Sequence, residues 1–346
     1  MIYEIDPLTD SRWPGFLSRS PRASVFHTRG WLEAVRTTYG HQPVALGVLG
    51  PDGDLLSAVV FCRVSSWFTG RRLISVPYSD HCDPLVASAA DLHCLLSACE
   101  ERGRQEGCKY VELRPASALP SIQSDWKCSQ EFYLHRLDLR AGADAVFRGS
   151  HRDCIQRRIR HAEKEGVRIQ QGNDPGLVKR FYDLVLQTRR RHGLPPQPRA
   201  WFRNLMECMG DAATIRLAFH GEEAIAGILT LQYGRSLYYK YGASEARFHR
   251  FGAMPYLFWH AIQDAIGHGL EELDLGRSDC NDAGLITFKE RWSPARSALS
   301  YLRSPSDAPP HIYDGIGKSA LARQACRYMP DGCLVGLGML FYRHID

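Results

Sequence analysis

The sequence lacks an apolar run of about 18 residues or more, so it predicts no membrane-spanning helix. The first residues, MIYEIDPLTDSRW, are acidic and mixed, and they lack the basic start and apolar core of a secretory signal. The 11 cysteines include no Cys-x-x-Cys pair, which favours buried apolar side chains or free thiols in a reducing compartment. These absences predict a cytoplasmic protein.

Several nucleotide-binding, nucleophile and metal motifs are also missing. Gly317-Lys318-Ser319 resembles the end of a Walker A loop, but Ile312 stands where that loop needs its first glycine. The chain contains no Gly-x-Gly-x-x-Gly fingerprint and no Gly-x-Ser-x-Gly elbow. The adjacent residues 81–83 (His-Cys-Asp) have no second cluster at zinc-like spacing. The sequence therefore predicts neither a P-loop, Rossmann or hydrolase site nor a metal site.

The composition that is present is that of a globular protein able to form two domains. The 346 residues are 44% hydrophobic and 23% charged, which excludes an intrinsically disordered chain. The formal net charge of +5 is too small to indicate DNA binding. It suits anionic substrates such as phosphates, nucleotides or tRNA.

One order of elements occurs twice, about 160 residues apart, which is too long a period for a solenoid repeat. The predicted order is helix, hairpin, strand, polar loop, helix, strand. The first copy covers 24–40, 44–49 with 55–64, 72–76, 91–107 and 110–113, and the second covers 174–193, 215–220 with 224–233, 237–241, 255–267 and 273–275. A glycine, Gly107 or Gly269, precedes the last strand of each copy. The repeat predicts two similar α/β domains in tandem.

The end of the second copy contains the strongest candidate site. We expect a buried strand, Leu273–Leu275, that ends at Gly276 and opens a polar loop from Arg277 to Asp282. A polar loop at the C-terminal end of a central strand is where α/β sheets usually bind ligands. Lys289 would place a cation beside Phe288 on this side of the sheet. The alternative is an ordinary loop with a solvated lysine.

Two other segments complete the chain. Between the copies, Ser150 is a predicted N-cap for a helix whose outer face is basic, either a solvated linker or a contact for a polyanion. The tail, 304–346, is predicted to form helices over 315–328 and 334–342 and to pack on the first domain.

Residues 24–303 resemble the FemAB-type (FemABX) transferases. The motifs that carry the resemblance are Phe26-x4-Trp31-x4-Arg36, Arg157-Arg158-Ile159-Arg160-x-Ala162-Glu-Lys164-x-Gly166, Tyr238-Tyr-x-Tyr241-Gly-Ala-Ser244, Trp259 and Gly284-x3-Phe288-Lys289. The resemblance implies an α/β (α+β) fold of two tandem GNAT-like domains, each a central mixed sheet flanked by helices. We expect the first domain over 1–148, the second over 149–303 with the Phe-Lys motif, and a helical tail over 304–346.

The resemblance also implies a reaction and its participants. Members of the family move an amino acid from aminoacyl-tRNA to an amine of a peptidoglycan precursor, and similar proteins belong to exopolysaccharide pathways. We therefore expect an acyl or aminoacyl transferase acting on a cell-envelope precursor. The donor would be aminoacyl-tRNA or acyl-coenzyme A, with no tightly bound cofactor and no metal. Transient contact with a membrane surface stays open.

The site residues follow from the family's motifs. Phe288 and Lys289 are implied to be catalytic, with the lysine stabilising developing negative charge or the tRNA end. The implied substrate-binding residues are Arg36, Arg199, Tyr241, Ser244 and Arg277. Asp279, Asp282 and His249 are possible acceptors of the amine's proton, and substrate-assisted transfer is equally open.

Two alternatives come from other functional classes or donors. An acyl-coenzyme A-dependent N-acyltransferase acting on a sugar or lipid amine would bind the coenzyme near Gly252. In that loop His249 and Met254 depart from the N-acetyltransferase pattern Gln/Arg-x-x-Gly-x-Gly/Ala. A non-catalytic module that binds anionic glycan precursors would use the basic residues around Arg158.

Overall fold

The computed structural model describes residues 1–119, 125–305 and 320–345. They form two compact units. Unit 1 contains Met1–Phe132 with 298–305 and 340–345, and unit 2 contains Tyr133–Ser297 with 320–339, in each case over the described residues. The domain boundaries predicted at residues 148 and 303 stay a prediction. No helix among the described residues is long and apolar enough to cross a membrane.

The described residues contain twelve strands and eleven helices, besides short 3-10 and π segments and the loops that join them. In chain order they are β1 (Ile2–Ile5), α1 (Arg12–Arg19), α2 (Arg29–Tyr39), β2 (Gln42–Leu49), β3 (Leu55–Ser66), β4 (Gly70–Ile74), α3 (Ala89–Gln105), β5 (Val111–Leu113), β6 (Lys127–Asp138), α4 (Ala143–Gly149), α5 (Arg157–Lys164), β7 (Arg168–Gly172), α6 (Pro175–His192), α7 (Arg199–Met209), β8 (Ala213–His220), β9 (Glu223–Tyr233), β10 (Ser236–Ser244), α8 (Ala253–Gly267), β11 (Glu272–Asp279), α9 (Ala283–Glu290), β12 (Ala295–Ser304), α10 (Ala320–Tyr328) and α11 (Asp331–Ile345).

The two units have the same internal topology. In unit 1 the strand order is β1-β2-β3-β4-β5-β12, and in unit 2 it is β6-β11-β10-β9-β8-β7. The first four strands of each repeat pair antiparallel, and the fifth pairs parallel with the fourth: β4 with β5, and β10 with β11. Gly107 and Gly269 both adopt a positive φ, of 65° and 74°, before that fifth strand. The predicted tandem repeat and mixed α/β fold are confirmed.

Local signals in the sequence determine where α2 begins and ends. The Thr28 hydroxyl accepts a hydrogen bond from the Trp31 amide at 3.3 Å, and Gly40 ends α2 in the left-handed conformation. The prediction for Ser150 was wrong, because this residue ends α4. The next segment is capped by His151, whose Nδ1 accepts from two backbone amides.

The candidate site region differs from its prediction in two ways. β11 does not stop at Gly276 but continues to Asp279, with Gly276 at a φ of 70° inside the strand. The predicted polar loop is therefore half strand, and the following hexad forms α9, which places Lys289 in a helical last turn. In the tail, α10 and α11 correspond to the two predicted helices, while residues 315–319 lie outside the described residues.

Candidate active site

The parallel strands of unit 2 are paired only at their beginnings. β10 and β11 pair over their first three residues, up to Tyr238 and Asp274, although both strands continue. The register of β10 on β9 shifts between Tyr239 and Tyr241, and the positive φ of Gly276 redirects β11. The C-terminal halves of the two strands are therefore positioned to flank a ligand, as in other open α/β sheets.

Lys289 is a buried cation fixed to the backbone of β11. α9 begins after Asp282, whose Oδ1 accepts from the Leu285 amide at 3.0 Å. This places Lys289, which is 1% exposed, in contact with β11. Its Nζ donates to the carbonyl oxygens of Gly276 at 2.8 Å and Arg277 at 2.9 Å. The alternative of a solvated lysine was wrong, and the cation stabilises the second half of the strand.

Phe288 points the other way, into the core of unit 2. Its half-buried ring lies 5.3 Å from the ring of Phe258 at an interplanar angle of 68°, an edge-to-face contact. Phe288 thereby fixes α9 against α8. Lys289 is buried and Phe288 is half-buried, and both side chains hold α9 against its neighbours.

Buried polar atoms lie on the elements next to Lys289. Both ring nitrogens of His135, the Ser278 hydroxyl and Trp292 Nε1 have no hydrogen-bond partner among the described residues. Burial and, secondarily, the Lys289 cation lower the pKa of His135, so its ring is neutral at pH 7. Unpaired buried polar groups are unfavourable by about 1–3 kcal/mol each. The interior here is therefore more polar than the surrounding core.

Tyr241 packs against α7, and Arg199 is the first residue of that helix. The Tyr241 hydroxyl accepts a hydrogen bond from Trp201 Nε1 at 2.8 Å, and its ring makes an edge-to-face contact with Phe202 at 5.1 Å. Arg199, exposed at the first residue of α7, has its guanidinium 5.7 Å from the Tyr182 ring. Burial raises the pKa of Tyr182 to about 12, so this phenol stays protonated at neutral pH.

Ser244 and His249 form a hydrogen-bonded pair at the end of β10. Ser244 Oγ lies 2.9 Å from His249 Nε2. The Ser244 backbone is held by Thr188, which exchanges two hydrogen bonds with it, and by Arg191, which donates to its carbonyl at 2.8 Å. Partial burial and the nearby Arg191 cation lower the pKa of His249 from its ordinary value of 6.5, while Glu245 opposes the shift. The imidazole is therefore neutral at pH 7 and able to accept a proton.

The other two possible proton acceptors have structural roles. Asp279 Oδ1 accepts from the Asn281 amide at 2.9 Å, and Asp282 caps α9. Each of these carboxylates therefore already accepts a backbone N–H in its own loop or helix cap. Of the three side chains, the geometry favours His249.

The two remaining predicted residues lie in different units. Arg277 is half-buried on β11 in unit 2, next to the backbone that Lys289 holds. Arg36 is exposed on α2 in unit 1, and its guanidinium donates to Glu33 at 2.8 Å, one turn away. Unit 2 therefore contains every predicted site residue except Arg36.

Sequence reasoning missed the residues that support this region. Trp201, Thr188 and Arg191 were assigned no role, and Thr188 lies 56 positions from its partner Ser244. The sequence predicts the helix over 174–193 that carries Thr188, but no local signal relates this residue to β10. The partnership itself depends on tertiary packing.

The start of α8 is packed closely against α5. Gly252 precedes α8 with a φ of 73°, and a Cβ there would lie 2.5 Å from the backbone oxygen of Arg158. The Arg158 side chain also donates to the Arg250 carbonyl at 2.9 Å. The segment that would receive a coenzyme A pyrophosphate is thus covered on one side by α5.

Comparison with known proteins identifies the fold. Residues 149–290 match the family model described as an acetyltransferase (GNAT) domain. No curated protein matches the sequence. The solved structure of FemX is similar at 15% identity and a TM-score of 0.72, covering 91% of this chain and 100% of that one.

Two further solved structures share the fold at lower similarity. L-PGS from Bacillus licheniformis is 13% identical with a TM-score of 0.50, over 88% of this chain and 94% of that chain. A tandem GNAT protein from the clavulanic acid biosynthesis pathway is 10% identical with a TM-score of 0.53, over 90% and 99%. The predicted resemblance is confirmed as a likeness of fold: the chain contains two GNAT-like domains in tandem, it is similar in fold to FemX, and its second half carries the GNAT domain match.

Proposed function

We propose that the chain is a FemAB-like transferase that moves an acyl or aminoacyl group onto an amine of a cell-envelope precursor, from peptidoglycan or exopolysaccharide synthesis. The observation that carries the proposal is the pair of Ser244 and His249 at the end of β10, within the region matched to a GNAT domain. A neutral imidazole beside a hydroxyl is suited to take a proton from an attacking amine.

The chemistry requires a proton acceptor and a stabilised oxyanion. The amine nitrogen attacks the carbonyl carbon of the donor ester or thioester, forming a C–N bond and a tetrahedral oxyanion. The proton released by the amine passes to Ser244 Oγ as that hydroxyl gives its own proton to His249 Nε2. The intermediate then collapses, the C–O or C–S bond breaks, and the leaving oxygen or sulfur receives the proton from His249. In acyl transfer generally, hydrogen-bond donors aimed at the oxyanion supply a large part of the rate enhancement.

For Lys289 we propose a positioning role in this reaction. Its ammonium contacts two carbonyl oxygens of β11, so it acts on the site through the backbone of Gly276 and Arg277. Holding this backbone would orient the Arg277 guanidinium toward an anionic part of the substrate. Phe288 supports the same arrangement by packing α9 on the core.

The remaining predicted residues are proposed to bind the precursor's phosphates. Arg199 and Arg277 supply cations on unit 2, and Tyr241 supplies a hydroxyl whose orientation is fixed by Trp201. For Arg36, in unit 1, phosphate binding stays a proposal that rests on the family resemblance alone. Arginine suits this task because its planar guanidinium binds phosphate through two parallel hydrogen bonds.

An acyl-coenzyme A thioester is the alternative donor. The match of residues 149–290 to an acetyltransferase domain favours it. The close contact between Gly252 and the Arg158 backbone favours the aminoacyl-tRNA donor instead, because it narrows the space next to the start of α8.

A ligand-stabilisation experiment tests the proposal. The thermal midpoint of the full chain is measured with coenzyme A thioesters, a UDP-linked peptidoglycan precursor and charged tRNA, one at a time. Ligands that bind the folded state raise the midpoint by mass action. A rise with the precursor and with charged tRNA, but not with thioesters, supports aminoacyl transfer.

The other outcomes separate the alternatives. A rise with thioesters assigns the donor to acyl-coenzyme A. A rise with the precursor alone, together with no product from any donor, supports the non-catalytic binding module and overturns the proposal. No rise with any of the three ligands also counts against it.

A further inference from the structure

The turn between β3 and β4 in unit 1 exposes two adjacent aromatic side chains. Trp67 is 87% exposed and Phe68 is 58% exposed, with ring centroids 5.8 Å apart. All seven tryptophans lie in the described residues, and the other six are at most 9% exposed. An exposed tryptophan beside an exposed phenylalanine presents a large apolar surface to water, which usually marks an interaction site.

This turn is structurally fixed. The buried Ser66 hydroxyl accepts from the amides of Phe68 at 3.1 Å and Thr69 at 2.9 Å. The Thr69 hydroxyl donates to the His344 carbonyl at 3.1 Å, and the His344 ring lies 5.9 Å from the Trp67 ring. The last turn of α11 therefore holds the base of the turn while the two rings project outward.

The surroundings of the turn are apolar and basic. Leu340, one helical turn before His344 on α11, is 70% exposed. Arg71 and Lys109 are exposed beside the turn, and the Lys109 stem lies over Gly70, where a Cβ would meet Lys109 Cε at 2.7 Å. Arg343 is exposed on α11.

The two segments that form this surface contain no acidic side chain over most of their length. Residues 55–79, which include the turn, and residues 332–345 contain no aspartate or glutamate, and of the three arginines in 55–79 Arg71 is the exposed one. A cationic surface with exposed aromatic rings is complementary to an interface that is anionic and deformable.

We infer that this surface, the aromatic tip formed by Trp67, Phe68 and Leu340 with the cations Arg71, Lys109 and Arg343, docks on an anionic lipid bilayer. Tryptophan is suited to the headgroup region because its ring is apolar and its indole N–H is polar. Both rings are exposed on a short turn between two strands, so they can enter a deformable interface without a preformed pocket. The flanking cations would attract anionic headgroups at short range.

Trp67 supplies a direct readout. The full chain is mixed with vesicles of phosphatidylcholine alone or of equal parts of phosphatidylcholine and phosphatidylglycerol, and binding is measured by co-sedimentation and tryptophan emission. Because Trp67 is the exposed tryptophan, its entry into the interface should shift the emission to the blue. We expect binding and the blue shift with the anionic vesicles, and weakening of both by high salt.

Variants separate the apolar and ionic contributions. Phe68→Ser combined with Leu340→Ser should weaken binding about tenfold or more through lost apolar contact. Arg71→Ser with Arg343→Ser should weaken it about 25-fold. Leu56→Ser is the matched control, since Leu56 is 48% exposed on the same strand β3 but roughly 33 Å from the turn. It should bind like the parent.

The inference is overturned by any of three results. One is no binding to either vesicle. A second is binding that the tip variants do not weaken, or that Leu56→Ser weakens equally. The third is a blue shift that grows with protein concentration in the absence of vesicles, together with a dimer in sedimentation, which would assign the tip to contact with a second copy of the chain.

Discussion

Lys289→Met removes a buried cation while keeping most of the length and volume of the side chain. The lysine is 1% exposed, so solvent does not screen its two hydrogen bonds to the carbonyl oxygens of Gly276 and Arg277. Each bond to a charged donor contributes about 1.5–3 kcal/mol. Methionine leaves both carbonyls without this donor but avoids burying a charge, which itself costs several kcal/mol. We expect a net destabilisation of about 2–4 kcal/mol.

Urea denaturation followed by circular dichroism measures this loss. The matched control is Lys179→Met, an exposed lysine on α6 in the same unit. The control should change the free energy of unfolding by less than about 0.5 kcal/mol. An equal, small effect of both substitutions would refute the assignment of Lys289 as a buried structural cation.

Kinetics distinguish the two roles considered for Lys289. If Lys289 stabilises the oxyanion directly, its substitution should lower kcat of the enzyme about 10²–10³-fold and leave KM little changed. A lysine that positions Arg277 through the backbone should mainly raise the KM for the anionic precursor. We expect the second pattern, and a pure loss of kcat would contradict the positioning role.

Three further predictions concern the scaffold and its pH dependence. Glu112 is fully buried in unit 1, where its carboxylate accepts from Arg114 Nε at 2.9 Å and Arg303 Nε at 2.8 Å. Glu112→Gln should lower the free energy of unfolding, measured by urea denaturation, by about 3–5 kcal/mol. Gly252→Ala should lower the thermal midpoint more than Gly53→Ala, because both glycines have a positive φ but only Gly252 faces a backbone atom within 4 Å; equal losses would argue against the close packing of α5 on α8. Because the pKa of His135 is lowered in the folded protein, this imidazole binds a proton more tightly in the unfolded state. The contribution of the neutral ring to folding stability is therefore complete above pH 6.5 and is lost as the pH falls from there through the folded pKa. His135→Phe should reduce the slope of stability against pH below 6.5, and an unchanged slope would exclude His135 as the titrating group.

The repeated fold could be predicted because its signals are local. The helix caps Thr28 and Asp174, the hairpin glycines Gly53 and Gly221, and the glycines at 107 and 269 act within a few residues of their position. One of each occurs in each copy, in the same order. The strands β1, β6 and β7 and the helix α7 were missed, since their sequences carry weaker periodicity.

The place of the candidate site in the chain could be predicted from the sequence, but the contacts of its side chains could not. The sequence predicts a strand end at Gly276, because glycine usually weakens a strand, whereas in the structure its positive φ lets β11 bend and continue. The burial of Lys289 results from packing of α9 against β11, for which no local pattern exists. The contact of Thr188 with Ser244 likewise joins two elements that are distant in the chain.

The most direct test of the proposed chemistry is mass spectrometry of the amine acceptor after reaction. The full chain is incubated with a UDP-linked peptidoglycan precursor and either charged tRNA or an acyl-coenzyme A. We expect a mass gain of one acyl or aminoacyl group and a rate that rises with pH through the pKa of His249 and is then constant. We expect the rate to fall about 10²–10⁴-fold in His249→Gln. The exposed His268→Gln variant, in the same unit, should react like the parent. No mass gain with either donor, or an undiminished rate in His249→Gln, would contradict the proposed chemistry.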